Sequence, residues 1–213
     1  MHISETMETI VNRATVYERY IPHKEFFTDT SGQIEYTLNS LWHRDIELES
    51  YSDYTLAVGC SHTFGIGVDT PWPTLIDNCY NAGIPGATVH DMCDVAMDIY
   101  RINPYKRVLM FAPHGERFLV SPKGKTTALM PYSEDANRYK SVDTDTKMLY
   151  TMRSINAFKY FCEVNGIEHT IICNNSIRFI RENKSILVDK GTDGVHYGNL
   201  TQQKFAGLFN ATN

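Results

Sequence analysis

The chain predicts one doubly wound α/β domain, a flavodoxin-like three-layer α/β/α arrangement on a parallel sheet. Three observations lead there. Four short segments, at residues 55–59, 79–81, 107–112 and 168–173, read as strands; the first is an apolar run too short for a helix that ends in a glycine-rich turn, as a buried parallel strand does. Stretches with helical spacing alternate with them. Glycine-rich turns follow the first two runs, at Gly59, Gly65 and Gly67 and again at Gly83 and Gly86.

In chain order, residues 1–50 show no clear period and are expected to form an N-terminal extension packed on a domain spanning 51–213. Tyr17, Tyr20, Ile21, Phe26 and Phe27 are its apolar anchors, and Asp29-Thr30-Ser31-Gly32 is a turn. Ile34, Tyr36 and Leu38 alternate with polar residues and predict a short strand, after which Leu41 and Trp42 would pack the arm on the body. The first core strand, 55–59, runs into Cys60-Ser61-His62-Thr63-Phe64-Gly65-Ile66-Gly67, which places Ser61 just past the strand's carboxyl end. Ligands bind at that end of open α/β sheets. Pro71-Trp72-Pro73 opens a helix expected to reach about Asn78, since proline fits a first helical turn.

The second strand leads into Asn81-Ala82-Gly83-Ile84-Pro85-Gly86. Thr88 with Asp91 three residues on reads as a capping box, and Val89, Met92, Cys93, Ala96, Met97, Ile99 and Tyr100 form one face of the helix behind it. Pro113 stops the third strand. Residues 114–146 lack a helical pattern; 118–120 and 127–130, around Pro122-Lys123-Gly124-Lys125, predict an inserted β-hairpin. A long helix follows over 144–165, with Met148, Leu149, Met152, Ile155, Phe158, Lys159 and Phe161 marking its inner face. After the fourth strand come a helical piece at 174–184, an apolar step at 186–188, a glycine-rich loop at 189–197 and a closing helix at 200–209.

Bulk properties exclude several function classes. A formal net charge of -5 with only a small basic tip at Lys123 and Lys125 argues against a general nucleic-acid partner. No apolar run approaches the roughly 18 residues of a membrane span, and residues 1–13 hold no apolar signal core, so a cytoplasmic protein without membrane partners is expected. Cys60, Cys79, Cys93, Cys162 and Cys173 are odd in number and form no C-x-x-C pair, which predicts reduced, buried thiols. No histidine has paired zinc spacing, and neither metal nor organic cofactor is expected.

The chemistry-bearing residues are few. Serine becomes a nucleophile when a base takes its proton, and the usual base is a histidine whose other ring nitrogen is held by a carboxylate. Asp193-Gly194-Val195-His196 supplies that pair in one loop, with Ser61 as the candidate nucleophile. The amides of Ser61 and Gly86 are candidate oxyanion donors.

With these residues in order, the chain resembles the SGNH/GDSL hydrolase family. Gly59-Cys60-Ser61-His62 matches its first block, Trp72-Pro73 a pair frequent in the family, Asn81 to Gly86 the second block with Gly86 on the oxyanion glycine, and Asp193-Gly194-Val195-His196 the last block. The blocks cover residues 55–210, and the spelling Gly-Cys-Ser-His-Thr-Phe-Gly behind an aromatic-rich arm looks like variants common in phage-encoded proteins. The resemblance implies an SGNH-type fold and a serine esterase or deacylase acting on a small acyl ester or an acylated glycan through Ser61, His196 and Asp193. Two departures stand out. Cys60 replaces the family's Asp, and Ala112-Pro113-His114-Gly115-Glu116-Arg117 lacks the third-block Asn that supplies an oxyanion donor, which leaves His114, Arg117 and Asn174 as candidates for that role. Loss of one such donor costs about 100- to 1000-fold in turnover.

A degenerate binding or structural module, associated with a phage particle or another oligomer, is the second reading. Bland roles also stand beside each residue: Ser61 as a turn serine, Asp193 and His196 as loop residues, His62 and His114 as polar lining or surface residues, Glu116 and Arg117 as a surface pair, and Cys60 as a small buried residue. An α/β-hydrolase elbow is excluded because Thr63 stands where that turn needs glycine. A nucleotide site is weaker still, since no Walker-type lysine follows Gly65 and Gly67.

Overall fold

The computed structural model describes residues 32–113, 117–120, 127–129, 140, 142–173 and 184–211. Its centre is a four-stranded parallel sheet of β1 (Thr55–Gly59), β2 (Cys79–Gly83), β3 (Arg107–Ala112) and β6 (Glu168–Cys173), in the order β2-β1-β3-β6. This is the doubly wound order expected, with the direction of winding reversing between β1 and β3. Gly59 stands opposite Gly83 on one side and Phe111 on the other, so the carboxyl ends of three strands are level.

Side chains alternate across the sheet and divide the core. Leu56, Val58, Tyr80, Ala82, Val108 and Met110 face α2 (Val89–Ile102) and α3 (Thr144–Val164). Ala57, Cys79, Leu109 and Phe111 face α4 (Asn199–Asn210) and Trp72, whose ring stacks on Phe209 at 4.4 Å. The Thr88–Asp91 capping box opens α2: Asp91 N donates to Thr88 Oγ1 at 3.2 Å and Thr88 N to Asp91 Oδ2 at 2.8 Å. The expected hairpin is present as antiparallel β4 (Phe118–Val120) and β5 (Thr127–Leu129).

The arm after residue 31 is held by side chains. Asn39 Nδ2 donates to Tyr80 Oη at 2.8 Å, Tyr80 Oη lies 2.8 Å from His43 Nδ1, and the amide of Asn81 on edge strand β2 donates to Asp45 Oδ2 at 2.6 Å. Burial alternates from Ile34 to Leu38 as expected, but only Glu35 is in a β-bridge; Ile34 and Tyr36 pack against Phe64, and Tyr36 Oη accepts from Gly67 N at 2.9 Å. Leu41 enters the core, whereas Trp42 sits at φ 62° and is exposed.

Other expectations are corrected. The helix expected from Pro73 to Asn78 is a single 3-10 turn, Trp72–Leu75: Ile76 goes extended to bury its side chain, and Asn78 adopts φ 49° to enter β2. The inner face of α3 is misread in its first half. Met148, Leu149 and Met152 are exposed, while Lys147, Thr151, Phe158 and Cys162 make the buried stripe. Lys159 is exposed as well. All five cysteines are free thiols, but Cys173 is exposed at the end of β6. The helical piece at 174–184 falls almost entirely outside the described residues.

Candidate active site

Ser61 opens a four-residue helix, α1 (Ser61–Phe64), directly after β1. Two glycines make room for it. A Cβ on Gly59 would meet Thr63 Oγ1 at 1.8 Å, and one on Gly83 would meet the Phe64 nitrogen at 2.2 Å. Gly83 is thus required by the close approach of α1, not by its own turn. Gly65 ends the helix in the left-handed region, at φ 85°, its amide donating to Ser61 O at 2.9 Å. Thr63 N and Phe64 N both donate to Cys60 O, each at 3.0 Å, and the amides of Ser61 and His62, at the start of the helix, have no acceptor within it.

Gly86 lies three residues past β2. The Ala87 amide donates to Ile84 O at 3.1 Å around Pro85-Gly86, with Gly86 at φ 79°, the positive value that the third position of a type II turn needs. Ile84 N donates to Gly59 O at 2.9 Å, which ties this turn to the root of the Ser61 helix.

The third component is the loop from Asp189 to Gly198. Lys190 and Tyr197 pair as an antiparallel bridge, Gly191 N donates to His196 O at 2.9 Å, and Gly198 N donates to Asp189 O at 3.1 Å. Asp189 anchors the loop to α4 by accepting from Thr201 N, Thr201 Oγ1 and Leu200 N. Inside it, Asp193 Oδ2 is 2.5 Å from His196 Nδ1, while Asp193 Oδ1 accepts from the amides of Val195 and His196 at 3.0 Å each. Burial opposes ionisation of Asp193, but the hydrogen bonds from the His196 ring and the two amides outweigh it and hold the carboxyl below the ordinary carboxylate range. An ionised carboxylate only accepts, so Nδ1 of His196 carries the proton and Nε2 is left as the basic nitrogen.

Long-range contacts bring the two loops together. Thr192 N donates to Gly67 O at 2.9 Å, and Asp193 packs so close to Gly67 that a Cβ there would meet Asp193 Oδ1 at 3.0 Å. His62, adjacent to Ser61, has its ring centroid 5.3 Å from that of His196 and stacks on Tyr197 at 4.6 Å. Gln202, fully buried on α4, accepts from Trp72 N at 2.9 Å and donates to His62 O and Tyr197 O at 3.3 and 3.4 Å. The His62 pKa is pushed down to about 3, first by burial and then by the charges of His196, Arg117 and Lys190, with Asp193 opposing.

Of the residues singled out from the sequence, Asp193 and His196 form a bonded pair, and Ser61 and Gly86 stand at adjoining strand ends. Ser61 is buried, and its hydroxyl has Cys60 Sγ at 4.0 Å; among the described residues it makes no hydrogen bond to His196. Such bonds are commonly long before substrate binds. Arg117 is half-buried and near enough for its charge to act on His62, whereas His114 and Asn174 lie outside the described residues. Gln202 escaped the sequence reading. Its signal is a polar residue in the stripe 202, 205, 206 and 209, the core face of α4. Among the described residues no cluster of three or more His, Cys, Asp or Glu is placed to hold a metal, and no helix is long and apolar enough to cross a membrane.

No family model and no curated protein matches the chain. Among solved structures it is similar to a protein assigned to the lipolytic G-D-S-L family from Desulfitobacterium hafniense DCB-2, with 18% identity and a TM-score of 0.44 over 76% of this chain and 99% of that one.

Proposed function

We propose that the protein is a serine ester hydrolase that removes an acyl group from a small O-acyl ester or an acylated glycan. The observation that carries this reading is the Asp193–His196 pair, a carboxylate bonded to Nδ1 of a histidine whose loop is stitched to the loop of Ser61 through Thr192 and Gly67. The ordered sequence blocks around Ser61, Gly86 and His196 support it.

Ser61 Oγ attacks the acyl carbonyl while its proton passes to His196 Nε2. The amides of Ser61 and Gly86 stabilise the oxyanion, with Arg117 the described candidate for a third donor. His196 returns the proton to the departing alkoxide, leaving an acyl-serine. Water then attacks with His196 again as base, and His196 returns that proton to Ser61 Oγ as the acyl–Oγ bond breaks and the carboxylic acid leaves. Asp193 holds the ring and favours the imidazolium that forms in each half-reaction.

The second reading, a module that binds glycan or serves a particle without catalysis, is favoured by Ser61 Oγ lacking a bond to the imidazole and by the missing third-block Asn. Turnover of a panel of short-chain aryl esters and acetylated sugars separates the two. The hydrolase reading expects activity lost in both Ser61→Ala and His196→Ala. Binding without turnover supports the module, and turnover indifferent to Ser61 contradicts the proposed nucleophile.

A further inference from the structure

We propose that His62 is a positioning residue for the base, acting as an uncharged aromatic bracket that holds the His196–Tyr197 segment against the helix carrying Ser61. The inference rests on the hydrolase reading for its catalytic consequence and on geometry for the rest. The His62 ring lies nearly parallel to Tyr197, at 28° and 4.6 Å, and meets His196 edge to face, at 65° and 5.3 Å. Its third aromatic neighbour, Phe111, belongs to the core at the end of β3, with centroids 6.5 Å apart. Ring contacts of this kind are directional and fix relative orientation as well as burying area. The bracket thus links β3, α1 and the histidine loop through a single side chain, next to the proposed nucleophile.

The bracket works through its ring face rather than through Nδ1. Among the described residues, His62 Nδ1 is buried with no hydrogen-bond partner, so a carbon in its place removes no described bond. Burial first, then the charges of His196, Arg117 and Lys190, oppose protonation of the ring while Asp193 favours it, which keeps His62 neutral near pH 7. The site therefore holds a single imidazolium when His196 takes the serine proton. Two adjacent imidazolium rings would repel and would work against that step.

The test compares wild type, His62→Phe and His62→Ala by two measurements. Amide exchange across residues 189–198 reads the bracket without needing activity. We expect about tenfold faster exchange in His62→Ala and wild-type protection in His62→Phe, because local opening follows lost packing. Ester turnover reads the consequence: kcat falls in His62→Ala with KM little changed, and His62→Phe restores kcat with the wild-type pH profile. Unchanged exchange in His62→Ala, or a His62→Phe variant no better than His62→Ala, overturns the proposal, as does an acid limb that moves in His62→Phe. Absence of turnover in wild type sinks the hydrolase reading alone and leaves the exchange result to decide on the bracket.

Discussion

The amide of Thr192 donates to the carbonyl of Gly67 across 125 residues of sequence, at 2.9 Å, and this bond sets the Asp193 carboxylate against the loop that begins with Ser61. Gly67 has φ 75°, and a Cβ on it would meet Asp193 Oδ1 at 3.0 Å and Cγ at 3.2 Å. Gly67→Ala is therefore expected to cost about 1–2 kcal/mol from backbone strain alone. It also displaces the carboxylate. Urea unfolding and ester turnover on the same preparation should show turnover falling further than the stability loss accounts for.

Asp193→Asn tests the ring's orientation. Its side-chain carbonyl can still accept from Val195 and His196, so the loop should keep its shape. The amide nitrogen, however, faces His196 Nδ1 as a donor and favours the tautomer protonated on Nε2, which is no base. Turnover should fall by about 10⁴-fold with the melting temperature nearly unchanged.

Acid sensitivity is built into the arm. His43 is fully buried beside Tyr80, and burial pushes its pKa down to about 3. Its ordinary value is 6.5, so between pH 6.5 and 3 the unfolded chain binds a proton at His43 that the native state does not. Stability contributed by the neutral ring is complete above pH 6.5 and declines as pH falls, by up to ~1.4 kcal/mol per pH unit for one group. Denaturant titrations from pH 7.5 to 5 should show a shallower decline in His43→Phe. That variant should also be less stable at pH 7.5, by about 1–2 kcal/mol, because the Tyr80 hydroxyl loses its bond to His43.

Gln202 links three chain segments that sequence keeps apart: Trp72, His62 and Tyr197. Gln202→Leu leaves the buried Trp72 amide without its acceptor and should cost about 1–3 kcal/mol. Because two of the lost contacts hold the flanks of Ser61 and His196, kcat should drop more than KM rises. Chemical unfolding and steady-state kinetics together measure both effects.

Much of the sheet was legible because β1 and β3 are largely apolar runs closed by Gly59 and Pro113, and because Thr88 and Asp91 have the spacing that a capping box needs. The Asp193–His196 pair was legible for the same reason: three residues and one glycine suffice for a local bond. Contacts made across the fold were not. Apolar residues surround the first half of α3, so periodicity could not choose between Met148 and Thr151; packing against α2 and the sheet made that choice. The four residues of α1 are too few to show a period, and the bonds from Asn39, Asp45 and Gln202 join segments 36 to 130 residues apart.

Whether Ser61 attacks an acyl-like centre is measured most directly by intact-mass and peptide mapping after treatment with a fluorophosphonate. The account predicts one adduct per chain, carried by the peptide containing Ser61, absent in Ser61→Ala and strongly reduced in His196→Ala. A folded wild-type protein that takes up no adduct, or an adduct that survives in Ser61→Ala, would contradict it.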